Sequence, residues 1–369
     1  MSIYFPRAVD DPRALPELRA ALLELATPDG AWHAAETQKL VMDIVGPVND
    51  RTVFIDGRGA LNVVGPQGYA PEELMQRIAI ATQQADNTLR WYREQLPISQ
   101  LIHISPEMTD FIVAAAEAVP LDMKLTLQDA PAPAGLVVFG KPVYGTDAGP
   151  ERPGQTVRVD AVCWGQAMLP QRDVPWWDER SADLRIPSAT IAMFRMIDPA
   201  HDDELAVNYG TDRVMWIPLG RTDWPWGDEL NECPSMFLPN ANPGQWASMM
   251  EDRRLLAALW ATLNQKRLVD TWDVFPDKYA RKRLERRGHP ARDERVTIVH
   301  LRRSEYRGFD KTEGTGRHVS VRFMVKPFYR RQPYGPNRSL RRIVLIPAHW
   351  RGPEGAPVKH AERIWELDK

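Results

Sequence analysis

Arginines and aromatic side chains interleave near the C-terminus through Arg322-Phe323-Met324-Val325-Lys326-Pro327-Phe328-Tyr329-Arg330-Arg331-Gln332-Pro333-Tyr334-Gly335-Pro336-Asn337-Arg338, and basic and aromatic residues recur from Arg341-Arg342 to His349-Trp350-Arg351. A guanidinium holds a phosphate in a two-pronged fork and stacks on planar groups. Aromatic rings placed among such cations stack unpaired bases while the arginines grip the backbone. The reading assigns Arg322, Lys326, Arg330, Arg331, Arg338, Arg341 and Arg342 to phosphates, with Tyr329 and Tyr334 as stacking platforms. The expected partner is RNA or a ribonucleoprotein.

Charge placement sharpens this choice. The whole chain of 369 residues carries a formal net charge of only −2. Residues 277–369 nevertheless hold 24 Lys and Arg against 11 Asp and Glu, so the remainder is acidic. Such asymmetry bears on partners rather than on fold. Two blander readings stand beside nucleic-acid contact. Basic residues on an edge hairpin deter strand pairing, and an arginine-rich face can dock on the acidic half of its own chain or on an acidic protein.

No residue is nominated as catalytic. The phosphate-cradling loop G-x-x-x-x-G-K-[ST], the dinucleotide turn G-x-G-x-x-G, H-E-x-x-H and G-x-S-x-G are all missing. No cofactor or metal site is expected. Cys163 and Cys233 stand far apart, without a neighbouring Cys or His, which argues against a disulfide framework and a structural zinc. Cys163 reads as a buried small hydrophobe, and His33, His103 and His300 as isolated packed or surface residues. His201-Asp202-Asp203-Glu204 and the set Asp173, Asp178, Glu179 and Asp183 read as solvated acidic loops. They leave a metal-dependent hydrolase or nuclease as one alternative. A second alternative is a protein-binding adaptor or inhibitor of a host factor. It would use the Trp/Pro-rich loops, with Trp176, Trp177, Trp224 and Trp226 as anchors.

Those groups need elements to hold them. Hydrophobic residues at 43% and charged residues at 26% are the composition of an ordinary globular chain. No apolar run is long enough to cross a bilayer. The opening Met1-Ser2-Ile3-Tyr4-Phe5-Pro6-Arg7 lacks the pattern of a secretion signal, so a cytoplasmic protein without membrane contact is expected. Leu18, Ala21, Leu22 and Leu25 share a helical face, and a second helix is expected over 31–45. A hairpin is expected around Asp56-Gly57-Arg58-Gly59, then a long helix from Pro71 and another capped by Ser105-Pro106. Ala130-Pro131-Ala132-Pro133-Ala134-Gly135 divides a mainly helical region, 1–130, from a strand-rich region, 131–369. The latter should contain strands at 136–139, 156–164, 189–196 and 213–218, and a core helix over 248–270 opened by the Ser248/Glu251 capping box. A basic helix, Asp277 to Arg287, and strands at 296–301, 318–326 and 340–346 complete it. The expected fold is therefore α+β: a helical N-terminal part, then a mixed or antiparallel sheet, completed by a basic C-terminal β-hairpin.

Pro131-Ala132-Pro133-Ala134-Gly135-Leu136-Val137-Val138-Phe139, a Trp-bearing strand, Arg330-Arg331-Gln332-Pro333-Tyr334-Gly335 and Ile346-Pro347-Ala348-His349-Trp350-Arg351-Gly352 also carry a resemblance. Over roughly residues 130–352 the chain resembles a broad, mostly uncharacterised family of actinobacteria, their phages and other mobile elements. The family's C-terminal hairpin usually has a Gly-His pair before its Arg-x-Gln. Here Met324 to Gln332 keeps the Arg-x-Gln end and lacks that pair. More distantly, the pattern is similar to a type V anti-CRISPR protein that acts on translation. The resemblance implies a non-enzymatic accessory protein with an anti-defence role, working near a messenger, nascent chain or ribosome.

Overall fold

The computed structural model describes residues 9–33, 36–37, 53–55, 61–63, 71–120, 122–126, 128–146, 156–170, 185–198, 215–225, 243–289, 294–302, 322–325, 327–346, 349–353 and 357. The fold is α+β. Its centre is a seven-stranded mixed sheet built from β3 (Gln100–Ile104), β4 (Gly135–Thr146), β5 (Thr156–Pro170), β6 (Arg185–Ile197), β7 (Met215–Pro225), β8 (Val269–Val274) and β9 (Val296–Leu301). The strand order is β7-β6-β5-β4-β3-β9-β8. β3 lies between β4 and β9 and runs parallel to both, while the other pairs are antiparallel. The sheet thus crosses the Pro/Ala joint, because β3 precedes that joint and pairs with β4 after it.

Helices cover both faces. On one side lie α1 (Leu15–Leu25) and α2 (Pro71–Gln95). Leu15, Leu18, Leu22 and Leu25 join Leu89, Tyr92 and Leu96 over Leu136, Val138, Ala161 and Phe194. Trp32 lies in the same cluster, stacked on Phe194 with ring centroids 5.8 Å apart, and its indole donates to the Trp216 carbonyl. On the other side lie α3 (Pro106–Glu117) and α4 (Pro243–Leu263). Met108 and Ile112 pack there with Leu256, Leu259 and Trp260 over Ile102, Val137 and Trp164. α3 begins as its sequence demands: Ser105 is the N-cap, its hydroxyl accepts from the Met108 amide at 3.3 Å, and Pro106 opens the first turn. The hairpin around residues 56–59 is present as β1 (Val53–Ile55) paired with β2 (Leu61–Val63).

Several expectations need correction. α4 starts at Pro243, which suits a first helical position, so Ser248 lies inside it rather than at its cap. It ends at Leu263, and the expected tail to residue 270 instead turns at Gln265 and enters β8. Val269, Thr271 and Trp272 favour an extended chain, and pairing with β9 satisfies its backbone. The C-terminal hairpin, β11 (Phe328–Tyr334) with β12 (Leu340–Ile346), does not complete the central sheet. It is a separate two-stranded ribbon lying across the outside of the second helical layer, because its apolar face seats on α3 and α4 rather than on a strand edge. Of the strand expected over 318–326, the described part is β10 (Phe323–Val325), paired with β13 (His349–Arg351).

The basic helix α5 (Lys278–Arg286) is capped at both ends. Asp277 accepts from the amides of Tyr279 and Ala280. Gly288, at φ 78°, closes the C-terminus, with the His289 amide returning to the Leu284 carbonyl. Leu284 rests on Ala20 of α1.

Candidate nucleic-acid interface

Strand parity sorts the hairpin's side chains. Facing partners in an antiparallel pair share a side. Tyr329, Arg331 and Pro333 therefore lie with Leu345, Ile343 and Arg341, while Arg330, Gln332 and Tyr334 lie with Val344, Arg342 and Leu340. At the base of the hairpin the first set faces the protein, whereas Arg331, Pro333 and Arg341, nearer the tip, are exposed. Ile343 and Leu345 are buried in the core, and the Tyr329 hydroxyl donates to the Ala115 carbonyl at 3.0 Å. Burial pushes the Tyr329 phenol above its ordinary range. Arg331 reaches the Lys124 carbonyl.

The second set lies on the outer side, except that Val344 is buried. Arg330 and Arg342 are exposed, with Tyr334 half-buried between strand and solvent. The Arg342 guanidinium stands over the Tyr334 ring, 5.3 Å from its centroid. Arg330 donates to the Gln332 side chain at 3.2 Å. At the tip, Gly335 takes φ 76°, a conformation that strains any residue with a Cβ, and Asn337 and Arg338 are also left-handed. Arg341 folds back on this turn and donates to the Arg338 carbonyl at 2.7 Å.

Most of the nine residues nominated from sequence therefore converge. Arg330, Arg331, Tyr334, Arg338, Arg341 and Arg342 share one hairpin. Tyr329 is on it too, but as the peg that fastens it to α3. Arg322 stands apart at the start of the β10/β13 ribbon, its amide bonded to the Pro357 carbonyl at 2.9 Å. Lys326 lies outside the described residues.

Several cations of the C-terminal quarter are tied to carboxylates, and the hairpin arginines are not among them. Arg283 of α5 and Arg287 at its C-cap clasp Glu17 and Glu24 of α1, each carboxylate held through two nitrogens. Arg302 pairs with Asp270 and Arg295 with Asp273. Among the described residues, Arg330, Arg331, Arg338, Arg341 and Arg342 have no carboxylate partner. Arg330, Arg331 and Arg341 spend donors on amide and carbonyl oxygens and Arg342 stands over Tyr334, contacts that leave the charge uncompensated. Part of the basic segment thus docks on the acidic N-terminal half, and part does not.

Other chemistry-bearing groups do not assemble into a catalytic centre among the described residues. A cleft of about 530 Å³ is lined by Glu107, Asp270, Trp272, His300 and Leu301. There the Trp272 and His300 rings stack with centroids 4.4 Å apart, and Asp270 is taken by Arg302 at 2.6 Å. His103 is buried with Nε2 3.0 Å from the Val9 carbonyl oxygen. Burial holds its pKa below the usual imidazole value, against the opposing pull of that bond. Burial likewise pushes the Cys163 thiol up to about 12, which makes it inert. No three His, Cys, Asp or Glu side chains among the described residues are grouped to hold a metal. The acidic stretches at 173–183 and 201–204, and Trp176, Trp177 and Trp226, lie outside the described residues. No helix among the described residues is long and apolar enough to cross a membrane.

Sequence reasoning missed the partition of the cations. It weighed docking of arginines on the acidic half of the chain without naming which would dock, although Glu17 and Glu24, on one helical face at i and i+7, offered a matching acidic pair for Arg283 and Arg287. Comparison with protein-family models, with curated proteins and with solved structures finds no match to this chain.

Proposed function

We propose that this is a non-catalytic accessory protein of a phage or mobile element that binds single-stranded RNA, free or within a ribonucleoprotein, through the outer face and tip of the β11–β12 hairpin. The observation that carries the binding reading is the uncompensated charge of the hairpin arginines beside Tyr334, in a chain whose other basic side chains repeatedly find carboxylates. The mobile-element setting, and any anti-defence role, rest on the C-terminal motif residues alone. Arg330, Arg338 and Arg342 grip phosphates, Arg331 and Arg341 frame the turn, and the Tyr334 ring offers a base the face not taken by Arg342.

Counterion release gives a direct test. Labelled single-stranded RNA, single-stranded DNA and duplex are titrated with the protein from about 50 to 200 mM salt, the range over which phosphate contacts lose most of their affinity. The reading expects affinity for single strands that falls steeply with salt. Absence of binding at the low end would overturn it.

A further inference from the structure

Helix α5 and the strand that feeds it hold a second group of side chains with the same chemistry. Among the described residues, the large apolar side chains left exposed include Trp272 (47%), Phe275 (54%) and Tyr279 (72%), three rings within eight residues. Next to them, Lys278, Arg281, Lys282 and Arg286 are exposed and have no carboxylate partner among the described residues. The helix sorts its own cations. Ala280 and Leu284 are buried, Arg283 and Arg287 flank them and clasp α1, and the remaining four basic side chains point away.

A charged helical face by itself is most simply solvated. Three solvent-exposed rings at its edge are not explained that way, since folding has withheld them from either core cluster. We infer that the β8–α5 corner is a second contact for single-stranded nucleic acid. Phe275 and Tyr279 stack bases, and Lys278, Arg281, Lys282 and Arg286 neutralise phosphates. Trp272 already stacks on His300 and extends the same aromatic surface. An acidic protein would satisfy the cations but leaves the rings without a role, so a single strand is the better fit.

The inference rests on reading the protein as a nucleic-acid binder, but the two contacts are separable. The hairpin seats over α3 and α4, whereas α5 seats on α1, which covers the opposite face of the sheet. A short strand therefore occupies one or the other. The test is calorimetric titration of the full chain with an eight-nucleotide oligouridine at about 50 mM salt. Wild type should take up two strands per chain, and R281E/K282E and R330E/R342E one each. Y279A should weaken the surviving site of R330E/R342E about tenfold, as expected for one lost base stack. All substituted side chains are exposed, and an unchanged circular dichroism melt confirms that each variant folds.

One strand per wild-type chain, lost in R330E/R342E and kept in R281E/K282E, overturns the second contact and leaves the hairpin reading standing. The reverse pattern sinks the hairpin reading and keeps the corner. Y279A without effect on the corner site overturns the stacking role and with it the preference for single strands. Failure of wild type to bind overturns both.

Discussion

Tyr329 and Tyr334 are five residues apart on one strand, and that odd spacing gives them opposite faces. Tyr329 points inward and donates to the Ala115 carbonyl; Tyr334 lies under Arg342 on the outer side. Composition treats the two alike, and only the register of β11 against β12 separates them. Replacing Tyr329 by Phe should cost about 1 kcal/mol of stability, the net worth of one hydrogen bond, and leave RNA affinity unchanged. Urea unfolding and a binding titration on the same variant check both halves. Gly135 shows the same dependence on context. A Cβ there would stand 2.2 Å from the buried Trp164 ring, whose indole already donates to the Ala132 carbonyl. Gly135→Ala should therefore destabilise by about 1–3 kcal/mol through overpacking, read as a lower urea midpoint. The sequence marked Gly135 only as the end of a Pro/Ala joint, since its close neighbour is 29 positions away. Asp252 of α4 is held up to about 7 by burial, opposed by a 3.0 Å hydrogen bond from Thr222. Its folded pKa is raised, so its contribution is fully present at acid pH and is lost as pH rises from about 4 through about 7. Asp252→Asn should flatten that part of a stability-against-pH curve. A curve identical to wild type would show that the carboxyl is not held in this way.

At the scale of elements, legibility followed exposure. Helices with one wet face announced themselves: α1, α2 and α3 stand close to where leucine spacing and the Ser105-Pro106 cap put them. Ser105 is itself buried, and its amide donates to the Val299 carbonyl at 3.0 Å, so the cap also ties α3 to β9. Ser105→Ala should cost about 1 kcal/mol, measurable as a lower unfolding midpoint. β3 went unread because it is buried on both faces: Gln100-Leu101-Ile102-His103-Ile104 has no alternation to reveal it. The expected core helix runs into the first two residues of β8, Val269 and Asp270, since only pairing with β9 distinguishes helix from strand there. The hairpin residues were legible as a cluster of chemistry, and the mistake was to extend the central sheet to include them. Ile343, Leu345 and Tyr329 seat on helices, a preference invisible in a strand's own pattern.

Across the whole molecule, a net charge of −2 conceals two kinds of cation. Some close the fold, as Arg283 and Arg287 do by clasping α1 to α5, and these add no field that a distant phosphate would sense. Others stand on the hairpin without a carboxylate among the described residues, and the account places recognition there. Affinity should then depend on salt in proportion to the hairpin charges. The most direct measurement is the slope of log affinity against log salt for a twelve-nucleotide single-stranded RNA, compared between wild type and R330Q/R342Q. Recognition by the hairpin requires a slope shallower by roughly 1.4 in the variant, two phosphate contacts at about 0.7 each, with the melting temperature unchanged. An unchanged slope and affinity would contradict it, and would mean that these arginines serve solubility rather than recognition.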